Sequence, residues 1–227
     1  MNKRTFYTEL AYILGLISLA LGTAFMEAAG FGVSMVVAPA YLIYLKLSQV
    51  LNFFSFGMAE YTLQAFLLIM LMIMLKKFKV SYLFSFITAI IYGLLLDGAM
   101  EIVALLPYKT LAFRFALYLL GIISCASGVS LLFHTYIAPE VYELFVKEAS
   151  NKFKINIHKF KTCYDCISCF IGIALSFAFF GLWHFEGVKV GTIVCALING
   201  WAISRCTHFF EKHWEFKDGL RIRCYFQ

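Results

Sequence analysis

Six apolar runs, each close to the length that crosses a bilayer, constrain this chain more than any other feature. About 20 helical residues cover roughly 30 Å of hydrocarbon. Runs of that order occupy about 8–29, 58–75, 80–97, 111–134, 162–182 and 188–209. Hydrophobic residues make up 62% of the 227 and charged residues 14%, whereas a soluble domain carries about a quarter charged residues. Most of the chain therefore faces lipid or protein. No hydrophilic stretch is larger than a loop, so any function lies in the membrane.

Two further segments read as helices that do not span. Residues 31–47 are broken by Gly32 and Pro39, and this helix is expected to dip into the bilayer from the outer side. Residues 138–150, PEVYELFVKEAS with a preceding Ala, put Val141, Leu144, Phe145 and Glu148 at helical spacing with Glu140, Glu143 and Lys147 around them. That pattern predicts an amphipathic helix on the cytoplasmic bilayer surface or capping the bundle.

Basic residues are retained on the cytoplasmic side. With the N-terminus inside and six crossings, fifteen of the 19 Lys and Arg fall inside, and Lys46, Lys109, Arg114 and Lys189 fall outside. Both termini are thus expected in the cytoplasm, with the protein multi-pass in the cytoplasmic membrane. The +6 net charge follows from this bias and a basic tail, and no nucleic-acid partner is implied. MNKR before an apolar run has the look of a signal peptide. The run is long, however, and lacks an A-x-A site at its end, so an uncleaved first span is expected. In this topology none of the seven cysteines lies in an extracytoplasmic loop, and disulfides are not expected.

The two halves echo each other. MVVAPAYLIYLK (35–46) parallels TYIAPEVYELFVK (135–147), and Ala89-x-x-x-Gly93-x-x-x-Asp97 parallels Ala196-x-x-x-Gly200-x-x-x-Ser204. Glu60 and Asp165 each stand about one turn inside a span. Three spans per half is an odd number, so the second copy would enter the membrane inverted, an architecture frequent among secondary transporters. The expected organisation is a first membrane repeat (1–108), a second (109–210) and a cytoplasmic basic and aromatic tail (211–227) suited to the inner leaflet. Small-x-x-x-small spacing also serves ordinary helix packing, the role expected of Ala89, Gly93, Ala196 and Gly200.

At GTAFMEAAGFGVS, the chain resembles the bacterial YitT/YczE-type integral membrane proteins. These have a duplicated layout, a Gly-Val-Ser-like motif after the first span and a G-T-x-x-x-A-x-x-x-G pattern in the last span of each half. Gly22, Gly32, Val33 and Ser34 match the first motif. Gly191, Thr192, Ala196 and Gly200 match the second, whereas its first-half counterpart keeps only Ala89 and Gly93, with Phe84 and Ser85 in place of Gly-Thr. Met35 and Val36 replace the Pro and Asp that often follow Gly-Val-Ser, so no role of that Asp carries over. The group has no settled activity; the resemblance implies a transporter at most.

The chemistry resides in a few polar residues. A carboxylate within a span costs a few kcal/mol or more unless paired, protonated or facing water. Glu27 precedes backbone loosened at Gly30, Gly32 and Pro39, with Pro139 the second-half counterpart. Broken backbone at membrane depth belongs in protein or along a cavity, where it and Glu27 would suit a cation, a proton or an amine. The alternative is interfacial snorkelling of Glu27 or a pair with Arg114. Glu60 and Asp165 form the symmetric pair, although the helix macrodipole alone favours acids near N-termini. Asp97, with Glu101, is placed at the outer interface or loop, and His134 is either a proton relay or an interfacial ring. Cys163, Cys166 and Cys169 have ligand-like spacing, but on a helix the outer two lie roughly 9 Å apart along the axis, so a packed stripe is favoured over metal, with His158 and Cys206 as conceivable further ligands. No hydrolase triad, phosphate loop or zinc motif is present; neither an enzyme nor a cofactor is expected.

These features favour an all-α polytopic protein with six transmembrane helices in two inverted three-span repeats, carrying a small molecule or ion through a site between them. A vitamin-binding membrane subunit with an ATP-driven partner, and a non-transporting regulator or assembly factor, are the alternatives. Beyond lipid and the unknown small molecule or ion, a homo-oligomer or a membrane partner is left open.

Overall fold

The computed structural model describes residues 4–106, 110–181 and 187–220, except the side chains of Val80 and His158. These residues form β1 (Arg4–Tyr7), α1 (Thr8–Ala29), α2 (Ala38–Leu47), α3 (Phe56–Leu75), α4 (Val80–Ala104), α5 (Leu111–Phe133), α6 (Val141–Phe153), α7 (Ile157–Phe180), α8 (Val190–His213) and β2 (Trp214–Lys217). The protein is helical and polytopic: α1, α3, α4, α5, α7 and α8 are long and apolar enough to cross a membrane.

Local chemistry sets most helix ends. The Ser55 side chain accepts from Met58 N at the start of α3, and Thr110 does the same for Phe113 N at the start of α5, each satisfying a backbone donor the helix cannot. Gly30, at φ 69°, ends α1 in the left-handed region, with its N–H returning to Glu27 O. Two boundaries differ from the pattern in sequence. α4 runs on through Asp97 and Glu101 to Ala104, and α7 starts at Ile157, so Asp165 lies two turns inside rather than one.

The elements pack in matched pairs. α1 lies against α5; α1 meets α4 as α5 meets α8; α3 meets α4 as α7 meets α8; α2 touches α3 and α7, and α6 touches α7 and α3. Exchanging each element for its counterpart four places on reproduces these pairings. The contact of α4 with α6 departs from the symmetry. The short helices end alike: Lys46, near the C-terminus of α2, donates to Phe179 O near the end of α7, and Lys152, near the C-terminus of α6, donates to Met74 O near the end of α3. Each lysine meets carbonyls that a helix C-terminus leaves unpaired.

The central α1–α5 crossing is close because it is built on glycine. A Cβ on Gly22 would lie 2.7 Å from Cys125 N and 2.9 Å from Gly121 O, and one on Gly121 would lie 2.9 Å from Gly22 O. Small residues let backbones approach this way in membranes, where no hydrophobic effect drives helices together.

Of the two placements expected for α6, burial favours the one against the bundle: Val141 through Val146, Ala149 and Ser150 are buried. Of the tail, residues 211–213 continue α8 and Trp214–Lys217 form β2, which pairs in parallel with β1 from Arg4↔Trp214 to Tyr7↔Lys217. Glu9 fastens the turn beyond it, accepting from Leu220 N at 2.8 Å, Gly219 N at 3.0 Å and the Tyr136 hydroxyl at 2.7 Å. The pairing brings Arg4–Tyr7 and Trp214–Lys217 together at one end of the bundle.

Candidate functional site

The break after α1 is a packed joint. Arg114 Nε donates to Ala29 O at 2.7 Å, Lys189 Nζ to Gly30 O at 3.0 Å, Gly191 N to Phe31 O at 3.0 Å and Thr192 Oγ1 to Val33 O at 2.8 Å. Val33 N returns to Gly187 O at 3.1 Å. These bonds satisfy backbone acceptors that the broken helix leaves without a helical partner. Gly32, at φ 109°, makes the joint close: a Cβ there would lie 2.9 Å from Lys189 N. The two glycine motifs thus interlock, the Gly32-Val33-Ser34 segment against Gly191-Thr192. On the second-half side, Thr88 Oγ1 reaches Ala138 O at 3.0 Å just before Pro139.

Ala29 O, Gly30 O, Phe31 O and Val33 O of the joint thus each accept from a protein donor, and Gly30 and Gly32 take the positive φ that shapes the turn. Pro39 sits in the first turn of α2, where its missing N–H costs nothing. Glu27 does not pair with Arg114; it accepts from the Tyr41 hydroxyl at 3.0 Å.

The acid groups gather where the tips of α2 and α6 meet. Glu60 and Gln64 lie one turn apart on α3 and are fully buried; Glu140, the N-cap of α6, and Glu143 within it are 3% and 5% exposed, Lys161 and Asp165 of α7 7% and 1%. The Tyr142 hydroxyl donates to Glu60 Oε2 at 2.9 Å, and Gln64 accepts from Val141 N at 3.1 Å while donating to Glu140 Oε2 at 3.4 Å. Lys161 Nζ lies 2.8 Å from Glu143 Oε1 and 3.3 Å from Asp165 Oδ1. Among the described residues, four buried carboxyls thus lie near one buried ammonium, which pairs with Glu143 and Asp165. Glu60 Oε1, Glu140 Oε1 and Glu143 Oε2 receive no hydrogen bond among the described residues.

A small cavity of about 40 Å³ opens between these groups, lined by Thr23, Ser34, Tyr92, Glu140, Glu143, Lys161 and Asn199 among others. It has room for a water or two, or for one small cation. An ionised carboxylate in such surroundings must be paired, or it neutralises by taking up a proton. Glu140, outside the spans, shows this. Burial first, then the Glu60 and Glu143 charges, push its carboxyl well above the usual carboxylate range, against smaller opposing effects of Gln64 and Lys161. Chemically the arrangement favours a bound proton or a cation.

Of the sequence candidates, the structure brings only Glu60 and Asp165 into this cluster. Asp97 is not a loop residue: its Oδ2 accepts from Ser55 Oγ at 2.6 Å and its Oδ1 from Gly57 N at 2.7 Å, an acid cap on the start of α3. His134 ends α5, with Nδ1 2.7 Å from Ser130 O, its other ring nitrogen 3.4 Å from Glu211 and its ring stacked 4.3 Å from Phe216. It secures the tail and lies apart from the acids. Ala89 and Ala196 are buried, and Gly93 meets Gly57 O closely, but a Cβ on Gly200 would meet only Thr162 Oγ1 at 3.7 Å. Gly191, not Gly200, makes the close approach of α8. Cys163 and Cys166 are exposed and Cys169 buried, and among the described residues no three Cys, His, Asp or Glu converge on a metal position. The His158 side chain lies outside the described residues.

Glu140, Glu143 and Lys161 were not singled out by sequence reasoning. Their signal is present in the intervals Glu60-x-x-x-Gln64 and Lys161-x-x-x-Asp165, each of which sets two polar groups on one helix face, and in Glu140 and Glu143 at the start of α6. Pairing those faces with one another, instead of with water, would have predicted the cluster.

The chain belongs to a family of unknown function, DUF6198, whose model matches residues 6–208. The match takes in α1 to α7 and α8 as far as residue 208. No curated protein and no solved structure matches the chain.

Proposed function

We propose that this protein is a small carrier of the cytoplasmic membrane that moves a cation, or a small molecule coupled to one, through the acid cluster between two inverted repeats, with both termini in the cytoplasm. The observation that carries the reading is the excess of buried carboxyls over the single Lys161 ammonium among the described residues, with Glu140, Glu143 and Lys161 lining a small cavity. Proteins tolerate such groups in a membrane chiefly where they serve substrate or ion pathways. The matched pairing of α1–α4 with α5–α8 and the mirrored Lys46 and Lys152 caps support an inverted duplication, and sites at the interface of such repeats serve alternating access. The interlocking glycine motifs support kinship with the YitT/YczE-type proteins. No catalytic role is assigned.

The test is flux into proteoliposomes loaded with a pH-sensitive dye, under imposed gradients of Na⁺, K⁺ or methylammonium. A protein-dependent proton or cation flux that is lost in Glu143→Gln is expected. Absence of flux under every gradient, with the protein folded and inserted, would refute the proposal.

A further inference from the structure

The central cavity does not stand alone. A groove of about 410 Å³ opens toward the lipid between α3 and α7, walled by Leu63 and Leu67 on one side and Phe160 and Ile167 on the other, and almost wholly apolar. Its rim residues Phe66, Met70, Ile167 and Ile171 are exposed. Val36 and Tyr142 line both the groove and the acid cavity, so a partition of two side chains separates them. Tyr142 is held in that partition by its hydrogen bond to Glu60.

Size and charge together select an occupant. The inner cavity, at about 40 Å³, admits an ammonium group but no organic body. The groove, at about 410 Å³, falls in the range of small-molecule sites, roughly 300–1,000 Å³, but offers almost nothing polar to bind. A neutral hydrophobe would leave the unbonded oxygens of Glu140 and Glu143 unsatisfied, and a bare inorganic cation would leave the groove to lipid.

We propose that the carrier's substrate is an amphipathic primary ammonium ion that enters sideways from the bilayer, its apolar body in the α3–α7 groove and its –NH₃⁺ against Glu140 and Glu143. Tyr142 turns away from Glu60 to join the two spaces. This rests on the carrier reading and adds the substrate class and the lateral route.

The full chain in lipid nanodiscs is titrated with 4-phenylbutylammonium, 4-phenylbutanol and methylammonium, with binding followed by the shift in unfolding temperature. Phenylbutylammonium is expected to bind at least about tenfold more tightly than either partial probe. Ile167→Trp, at an exposed rim position that leaves the fold intact, is expected to weaken phenylbutylammonium by about tenfold and leave methylammonium unchanged. Equal binding of phenylbutanol would overturn the proposal by making the groove a site for neutral hydrophobes or lipid tails. Equal binding of methylammonium, with no effect of Ile167→Trp, would overturn it while leaving the cation site standing. If neither ammonium ion binds, the carrier reading itself loses its cation site.

Discussion

Replacing Lys161 with methionine removes, among the described residues, the only buried cation from a group of four buried carboxyls. Lys161 Nζ lies 2.8 Å from Glu143 Oε1 and 3.3 Å from Asp165 Oδ1, with all three side chains at most 8% exposed. Removing one partner from a buried pair costs about 3–5 kcal/mol, because the remaining charge is left desolvated. Unfolding entropy for a chain of this size converts each kcal/mol into roughly 2–4 °C, so Lys161→Met is expected to unfold about 6–20 °C below the wild type. Adding Glu143→Gln removes an acid that the lysine had neutralised, and the double variant is expected to recover at least half of that loss. Thermal unfolding in one detergent at neutral pH reads all three proteins. A Lys161→Met protein as stable as the wild type, or a double variant no better than the single, would refute the coupling.

Two further outcomes follow from the geometry. Gly22→Ala and Gly200→Ala, the same change in two spans, are expected to move the unfolding temperature in opposite directions. The first forces a Cβ to 2.7 Å from Cys125 N, while the second meets only Thr162 Oγ1 at 3.7 Å, so overpacking of about 1–3 kcal/mol opposes a helix-propensity gain of up to about 1 kcal/mol. Glu140 gives a pH dependence. Its folded-state affinity for a proton is raised, so its stabilisation is complete below the ordinary carboxylate range and is lost as pH rises through the higher folded value. The unfolding temperature is therefore expected to fall on the alkaline side, and to fall less in Glu140→Gln, as a pH series of melts would record.

The spans were legible because hydrocarbon thickness leaves little choice of length: the run 8–29 is α1 residue for residue, and 111–134 overshoots α5 by one. The site was legible only in part. Glu60 and Asp165 stood out because they hold matching positions near the starts of spans in the two halves. Glu140 and Glu143 did not, because an amphipathic helix looks the same whether its polar face meets water or another polar face. Lys161 looked like one more cytoplasmic charge near a helix start, since pattern alone does not say that α6 covers it. Asp97 misled for a related reason: its partners, Ser55 and the Gly57 N–H, are some forty residues away. The strand pair at one end of the bundle joins segments some 210 residues apart, a distance over which short polar stretches carry no readable register.

The most direct measurement is proton release on cation binding by the detergent-solubilised protein, followed with a pH indicator in weak buffer. If the buried carboxyls hold protons that a cation displaces, adding Na⁺, K⁺ or methylammonium releases protons from the wild type in a saturable way, and Glu140→Gln with Glu143→Gln abolishes the release. Protons unmoved by any of these ions, or release unchanged in the double variant, would contradict a cation site at the meeting of α2 and α6.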